Sequence, residues 1–254
     1  MATIKENRRF LKTYFSDMAG IKTDAVLGLE KPAAQKQVKD GERLIKLASP
    51  SKDIVKCNDT FDNIKSRRSV RNYSDEAISF EELSYLLWAS FGVTDIDSKG
   101  NKKRAVPSGG ACYPIETYII VRNVKGLEQG IYRYRPLDNE LAFIKSIDKM
   151  QEVIESFMLD SKQPYLPGFA NGAAVLFAWS AVPYRGEYKF NIMTHKKILI
   201  DVGHICQNLY IASESIDAGT CAIGIYDQDR VDALLDLDGE DEFVIYLAAV
   251  GKKK

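Results

Sequence analysis

A chain of 254 residues, 45% hydrophobic and 28% charged, has the composition of an ordinary globular protein and material for one large domain or two small ones. Its 35 basic and 35 acidic residues cancel, which excludes a global basic footprint for nucleic acid or anionic lipid and leaves any anion site to be local. The longest apolar runs, Ala173–Val182 and Val244–Val250, fall far short of the roughly 20 residues needed to span a bilayer.

In chain order, the polar start Met1–Arg9 has no hydrophobic segment of a secretory signal, so a cytoplasmic protein is expected. Residues 1–58 are rich in Lys, Glu, Asp and Gln and read as an arm, with one amphipathic turn or two at Phe10, Leu11, Tyr14, Phe15 and Met18. Residues 59–254 read as one domain. Thr60 is a candidate cap for a short helix with Phe61 and Ile64 inward, and Ser79-Phe-Glu-Glu82 is a capping box opening a helix that buries Leu83, Leu86, Leu87 and Phe91 and stops at Gly92. After a polar loop, Thr117–Arg122, Ile131–Tyr134 and Leu141–Ile144 read as strands, the last two turned by Asp138-Asn139. Ile147, Val153, Ile154 and Phe157 suggest a helix, and Ala173–Val182 a central strand covered on both faces. Apolar residues at Ile198, Val202, Ile205, Leu209, Ala212 and Ile216 keep helical spacing, predicting a long buried helix over Thr194–Ile216. A strand at Thr220–Tyr226, a short helix capped by Asp227 with Val231, Leu234 and Leu235, and a strand at Phe243–Val250 complete an α+β fold with a mixed sheet flanked by helices.

Cys57, Cys112, Cys206 and Cys221 show neither C-x-x-C nor framework spacing, so neither zinc nor a disulfide scaffold is expected. Of the two histidines, His204 stands two residues from Cys206, a spacing that makes side chains diverge on a helix and argues against a Cys-His nucleophile. Neither a Rossmann fingerprint nor a Walker A loop is present.

Four segments carry candidate chemistry. Arg67-Arg68-Ser69-Val70-Arg71 places three guanidiniums and a hydroxyl within five residues, a match to phosphate oxygens or, alternatively, a solvated basic turn. Ala105–Pro114 (AVPSGGACYP) is pinned by Pro107 and Pro114; Ser108 offers a hydroxyl, and Gly109-Gly110 let backbone approach a ligand. Gly219–Asp227 brackets Cys221–Ile223 with glycines, which in a strand mark close approach of another group. Gly251-Lys-Lys-Lys254 is either a solubilising tail or a source of lysines for the same anion.

Together, from about Thr60 onward, the R-R-S-x-R segment, the P-S-G-G-x-x-Y-P loop, Asp201-Val-Gly-His-Ile-Cys-Gln-Asn-Leu209, the Ala222-Ile-Gly224 turn and the closing Val250-Gly-Lys252 resemble the nitroreductase superfamily of FMN-dependent oxidoreductases. The P-S-G-G and G-H-x-x-Q-N-L segments and the polar extension look most like its SagB-type azoline dehydrogenase branch. The resemblance implies a homodimer with FMN between subunits, exchanging hydride at N5 with an organic substrate, a peptide or NAD(P)H by a ping-pong mechanism. It implies Arg67, with Arg68, near the FMN phosphate, Arg71 near the N1/C2-carbonyl edge and Ser69 between them. Pro107, Ser108, Gly109 and Gly110 would cover the ring from the partner, the amides of Ala222, Ile223 and Gly224 would meet N5, and Lys252 and Lys254 would complete the phosphate cage.

Two departures stand out. Ala111 occupies a position where many nitroreductases carry Asn, and Lys189-Phe190 replaces the Lys-Tyr pair of SagB-type enzymes, keeping Lys189 as a candidate catalytic residue without its phenol. Tyr184 and Tyr188 are near enough in sequence to stand in, and Lys189 as a plain surface residue is the alternative. A flavin-fragmenting enzyme of the BluB-like kind and a catalytically inactive flavin-binding protein are the rival functions.

Overall fold

The computed structural model describes residues 3–158 and 168–254, and it is α+β. Nine strands are found among these residues: β1 (Arg43–Lys46), β2 (Val93–Ile96), β3 (Lys102–Arg104), β4 (Ile115–Val121), β5 (Gly130–Arg135), β6 (Glu140–Ser146), β7 (Val175–Ala181), β8 (Ala218–Ile223) and β9 (Phe243–Lys252). Seven form one sheet in the order β1-β6-β5-β4-β7-β9-β8; β2 and β3 make a separate hairpin. Every ladder in the large sheet is antiparallel, and parallel pairing among the described residues is confined to single bridges, Ser69↔Thr220 and Ile78↔Val124.

Alternation along the central strands divides the core. Ile119 and Val121 of β4 and Phe177 and Trp179 of β7 face α4 (Phe80–Phe91) and α7 (Thr194–Glu214), packing on Leu83, Leu86, Leu87, Val202, Ile205 and Leu209. Tyr118, Ile120, Leu176 and Ala178 point the other way, toward α5 (Met150–Phe157) and α8 (Gln228–Leu234). β4 and β7 are buried at every residue, which is why their sequences are mostly apolar, broken only by the buried Glu116, Thr117 and Ser180. Ser79 and Glu82 close the capping box of α4 (2.9 and 3.1 Å), and Asp227 caps α8. Gly92 ends α4 without a left-handed turn; a Cβ there would lie 2.6 Å from the Trp88 backbone.

Several expectations are corrected. The short helix α3 (Thr60–Ser66) is capped by Asp59, and Phe61 and Ile64 are 72% and 61% exposed; its inward residue is Asn63, whose amide donates to the Cys57 carbonyl. Ile147 precedes α5. The stretch after Gly92 folds as the β2–β3 hairpin, its tip organised by Asp97, which accepts from the amides of Lys99 and Asn101. Near the start, α1 (Ile4–Phe10) buries nothing, and Phe10, Leu11 and Tyr14 are exposed. The long helix presents two environments: Ile198, Val202, Ile205, Leu209 and Ala212 are buried, whereas Leu199, Ile200, Gly203, His204 and Gln207 form an exposed stripe in the single chain.

The N-terminal region is fastened more firmly than its composition suggests. After α2 (Asp24–Leu27), Arg43–Lys46 adds to the sheet edge as β1, paired with β6. Between them, residues 33–37 are anchored by buried charges. Arg185 binds both the Ala33 carbonyl and Glu116; the Lys36 amide donates to Glu116, while its ammonium pairs with Glu242 and reaches the Tyr118 hydroxyl. Arg133 and Arg135 donate to the carbonyls of Gln37 and Lys36 at 3.0 and 3.1 Å.

Candidate functional site

The arginine segment leaves α3 at Arg67 and runs beside β8. The Val70 amide donates to the Thr220 carbonyl at 3.0 Å, and Tyr73, whose phenol burial pushes far above its usual range, donates to the carbonyls of Val70 and Ala249. Gly219 has a packing reason: a Cβ would meet Val70 at 2.5 Å. Tyr210, reaching up from α7, ties the two segments together. Its hydroxyl accepts the Ala222 amide at 2.8 Å and lies 3.2 Å from Ser69 Oγ, and its ring supports the Arg67 guanidinium at 5.1 Å from the centroid.

Arg71, Phe169, Cys221 and Ala222–Gly224 line one recess of about 120 Å³. Burial pushes the Cys221 thiol upward against the opposing charge of Arg71. Among the described residues, Arg67, Arg68 and Arg71 have no carboxylate within 4 Å; Arg68 donates to the carbonyls of Lys65 and Arg67, and Arg71 to that of Ser69 at 3.5 Å. Three guanidiniums without a carboxylate partner, one of them lining the recess, suit an anionic ligand such as a phosphate.

The two lysines of the C-terminal segment separate. Lys252 is buried and engaged: its ammonium donates to Glu82 at 2.5 Å and to the Ile216 carbonyl at 3.1 Å, so its charge is balanced inside the fold. Burying a lysine without an anion partner is costly, and Glu82 supplies one here. Lys254 is exposed at the chain's end.

The Pro107–Pro114 loop lies at the other end of α7. Ser108 donates to Asp201 at 2.5 Å and accepts the Tyr113 amide at 2.9 Å, while the Gly109 amide donates to both oxygens of Asp201. Ser108 and Gly109 thus hold the loop to α7. Burial raises the Asp201 carboxyl against these hydrogen bonds. Gly110 is left-handed (φ 70°), and a Cβ there would meet the Phe190 ring at 2.4 Å.

Nine residues separate Asp201 from Tyr210, roughly 14 Å along a helix. The expected ligand set therefore divides within one chain between the two ends of α7.

Lys189 is exposed in the last turn of α6 (Tyr184–Phe190), and its ammonium donates to the Gly110 carbonyl at 3.3 Å. The neighbouring phenols are engaged elsewhere: Tyr184 donates to Asp24 at 2.9 Å and Tyr188 to the Leu29 carbonyl at 3.0 Å, both gripping the N-terminal region. Neither replaces the missing partner of Lys189. Cys206 is buried and His204 exposed, as their spacing requires.

The fold is thus an antiparallel sheet between helical layers, with unpaired guanidiniums beside its edge strand. The chain belongs to the nitroreductase family, whose model matches residues 64–252. It is 31% identical over 192 residues to the protein designated nitroreductase MJ1384 of Methanocaldococcus jannaschii, covering 76% of this chain and 90% of that one. Its fold is similar to a chain in the Escherichia coli microcin synthetase McbBCD complex with truncated pro-MccB17 bound (TM-score 0.62, 17% identity, 96% of this chain and 85% of that one). It is also similar to a nitroreductase-type protein from Desulfovibrio desulfuricans crystallised with FMN (TM-score 0.51, 19% identity, 77% of this chain and 87% of that one).

Proposed function

We propose that this protein is an FMN-dependent oxidoreductase, working as a homodimer with two composite sites and allied to the SagB-type dehydrogenases. The observation that carries the reading is the junction at Tyr210, where Arg67, Ser69 and the Ala222 amide are drawn together beside a recess lined by Arg71. FMN, when bound, would supply the two-electron chemistry by exchanging hydride at N5 with an organic substrate or a nicotinamide nucleotide in alternate half-reactions.

The chain's own residues would bind and tune. Arg67, with Arg68 and the exposed Lys254, would hold the phosphate, and Ser69 would offer a neutral donor between the guanidiniums. Arg71 would keep a fixed positive charge at the edge of the ring where reduction adds negative charge. The backbone amides of Ile223 and Gly224 would orient the ring without bringing a competing acid or base to it, beside Ala222, whose own amide is held by Tyr210. Pro107–Pro114 would close the site from the second subunit, which fits its separation from the arginines along α7 in one chain. The exposed stripe of Leu199 and Ile200 supplies apolar surface for that contact, as do the exposed Phe61 and Ile64 on α3, which packs against α7. Residues 1–58 act as an arm on the 59–254 domain, and Lys189 serves the substrate side of the pocket.

The absorption spectrum of the purified protein, followed by anaerobic titration with NADH and NADPH, tests the reading. Flavin bands are expected. A protein that stays colourless after incubation with FMN refutes it.

A further inference from the structure

A recess of about 450 Å³ lies between the N-terminal arm and the sheet face turned away from α7. The arm between Lys36 and Arg43 lines one side of it, and Leu235 and Asp236, just after α8, line another. Tyr118, Arg133 and Ile144 line it from the sheet. Arg133 pairs with Tyr118 in the β4–β5 ladder, so both side chains project from the same face. The volume falls within the range of small-molecule sites.

The Arg133 side chain is 3% exposed. Its Nη2 donates to the Gln37 carbonyl at 3.0 Å and to Glu42 at 3.2 Å, whereas its Nη1 is buried without a hydrogen-bond partner. Nine buried side-chain polar atoms among the described residues lack a partner, and only Arg133 Nη1 belongs to a residue of this lining. An unmet charged donor and the room to meet it therefore coincide at one place. The other charges of the lining are settled: Lys36 pairs with Glu242, Arg43 with Glu128 and Asp236 with Lys145, while Lys39 and Asp40 are exposed and opposite in sign.

We propose that this recess binds a small organic carboxylate, with Arg133 Nη1 donating to its anionic end and Phe143, Ile144 and Leu235 beside its apolar body. One free guanidinium nitrogen suits a single negative charge. A phosphate dianion would meet the nearby carboxylates of Glu42 and Asp40 with too few free donors. Because the arm supplies one side of the recess, the bound acid would tie the arm to the sheet. The site lies on the opposite face of the sheet from α7 and does not rest on the flavin reading.

Calorimetric titration of the purified protein with benzoate and with benzamide, alike in size and different in charge, tests it. At low salt benzoate binds about tenfold more tightly, the worth of one charge-assisted hydrogen bond. Arg133→Gln removes that preference. Glu42→Gln keeps an acceptor for Arg133 but removes the neighbouring negative charge, so it tightens benzoate about threefold and leaves benzamide unchanged. The two variants move benzoate in opposite directions, which a site elsewhere on the molecule would not do, and Glu42→Gln decides alone if Arg133→Gln fails to fold. Equal affinity for the two probes in the wild type, or a benzoate affinity in Glu42→Gln that is unchanged or weaker, overturns the proposal. Flavin content, read by absorbance on the same sample, reports on the FMN reading separately.

Discussion

The hydroxyl of Tyr210 accepts the backbone amide of Ala222 at 2.8 Å, and the same oxygen lies 3.2 Å from Ser69 Oγ. One phenol on α7 therefore fixes the arginine segment against β8. Tyr210→Phe keeps the ring under Arg67 but strands the Ala222 amide, at a cost of about 1–3 kcal/mol. Urea denaturation is expected to record that loss and flavin titration a weaker FMN complex. A variant with unchanged stability and affinity would make Tyr210 a bystander.

The two arginines flanking Ser69 are expected to fail differently. Arg67→Ala removes a cation assigned to the phosphate, so bound flavin is lost on gel filtration. Arg71→Ala retains more flavin but lowers its midpoint potential, because the positive charge favouring the anionic reduced ring is gone. Potentiometry with reference dyes reads the second effect. Flavin retained in full by Arg67→Ala, or a potential unmoved in Arg71→Ala, would remove the corresponding role.

Those arginines were legible because chemistry concentrated in five consecutive residues needs no knowledge of the fold. The core strands and α7 were legible for a similar reason, since apolar runs and helical spacing are local signals. Asp201 and Tyr210 are hidden in a helical pattern; a polar residue on a helix's inward face is the signal that marks them, but the partner of each lies far away in sequence. Lys252 illustrates the converse: its residue type suited an anion cage, yet Glu82, 170 residues earlier, takes its charge. β1 is not legible in the sequence because an exposed edge strand in a polar stretch has no alternation strong enough to read.

The grip on residues 33–37 depends on the buried pair of Arg185 and Glu116, whose side chains are 5% and 2% exposed. Replacing Arg185 by Met leaves the buried Glu116 carboxylate with the Lys36 amide as its remaining hydrogen bond, a loss of about 3–5 kcal/mol when a buried pair is broken on one side. Limited proteolysis is expected to cut between Asp24 and Gln37 in the variant well before the wild type. Equal digestion rates would show that β1 and the tyrosine contacts hold the segment unaided.

Leu199 and Ile200 are 49% and 48% exposed on a helix whose opposite face is sealed in the core. Leu199→Glu is expected to leave the fold intact while charging the surface assigned to the second subunit. Sedimentation should then report a monomer with little flavin. A dimer of unchanged affinity would move the interface elsewhere on the molecule.

Asp201 offers a pH signature as well as a mechanical one. Asp201→Ala leaves the Ser108 hydroxyl and Gly109 amide without their acceptor, which is expected to cost about 1–3 kcal/mol and to raise amide exchange across residues 108–113. Asp201→Asn keeps one oxygen for those donors but cannot titrate. Because burial outweighs the hydrogen bonds and raises the carboxyl above its ordinary value near 3.8, the folded state binds the proton more tightly than the unfolded chain does. Wild-type stability relative to Asp201→Asn must then fall as pH rises through the window between the ordinary and the raised value, and stay level above it. Thermal melts of both proteins across that window check the sign; a wild type that gains on the variant as pH rises would mean that the Ser108 and Gly109 hydrogen bonds, not burial, govern the carboxyl.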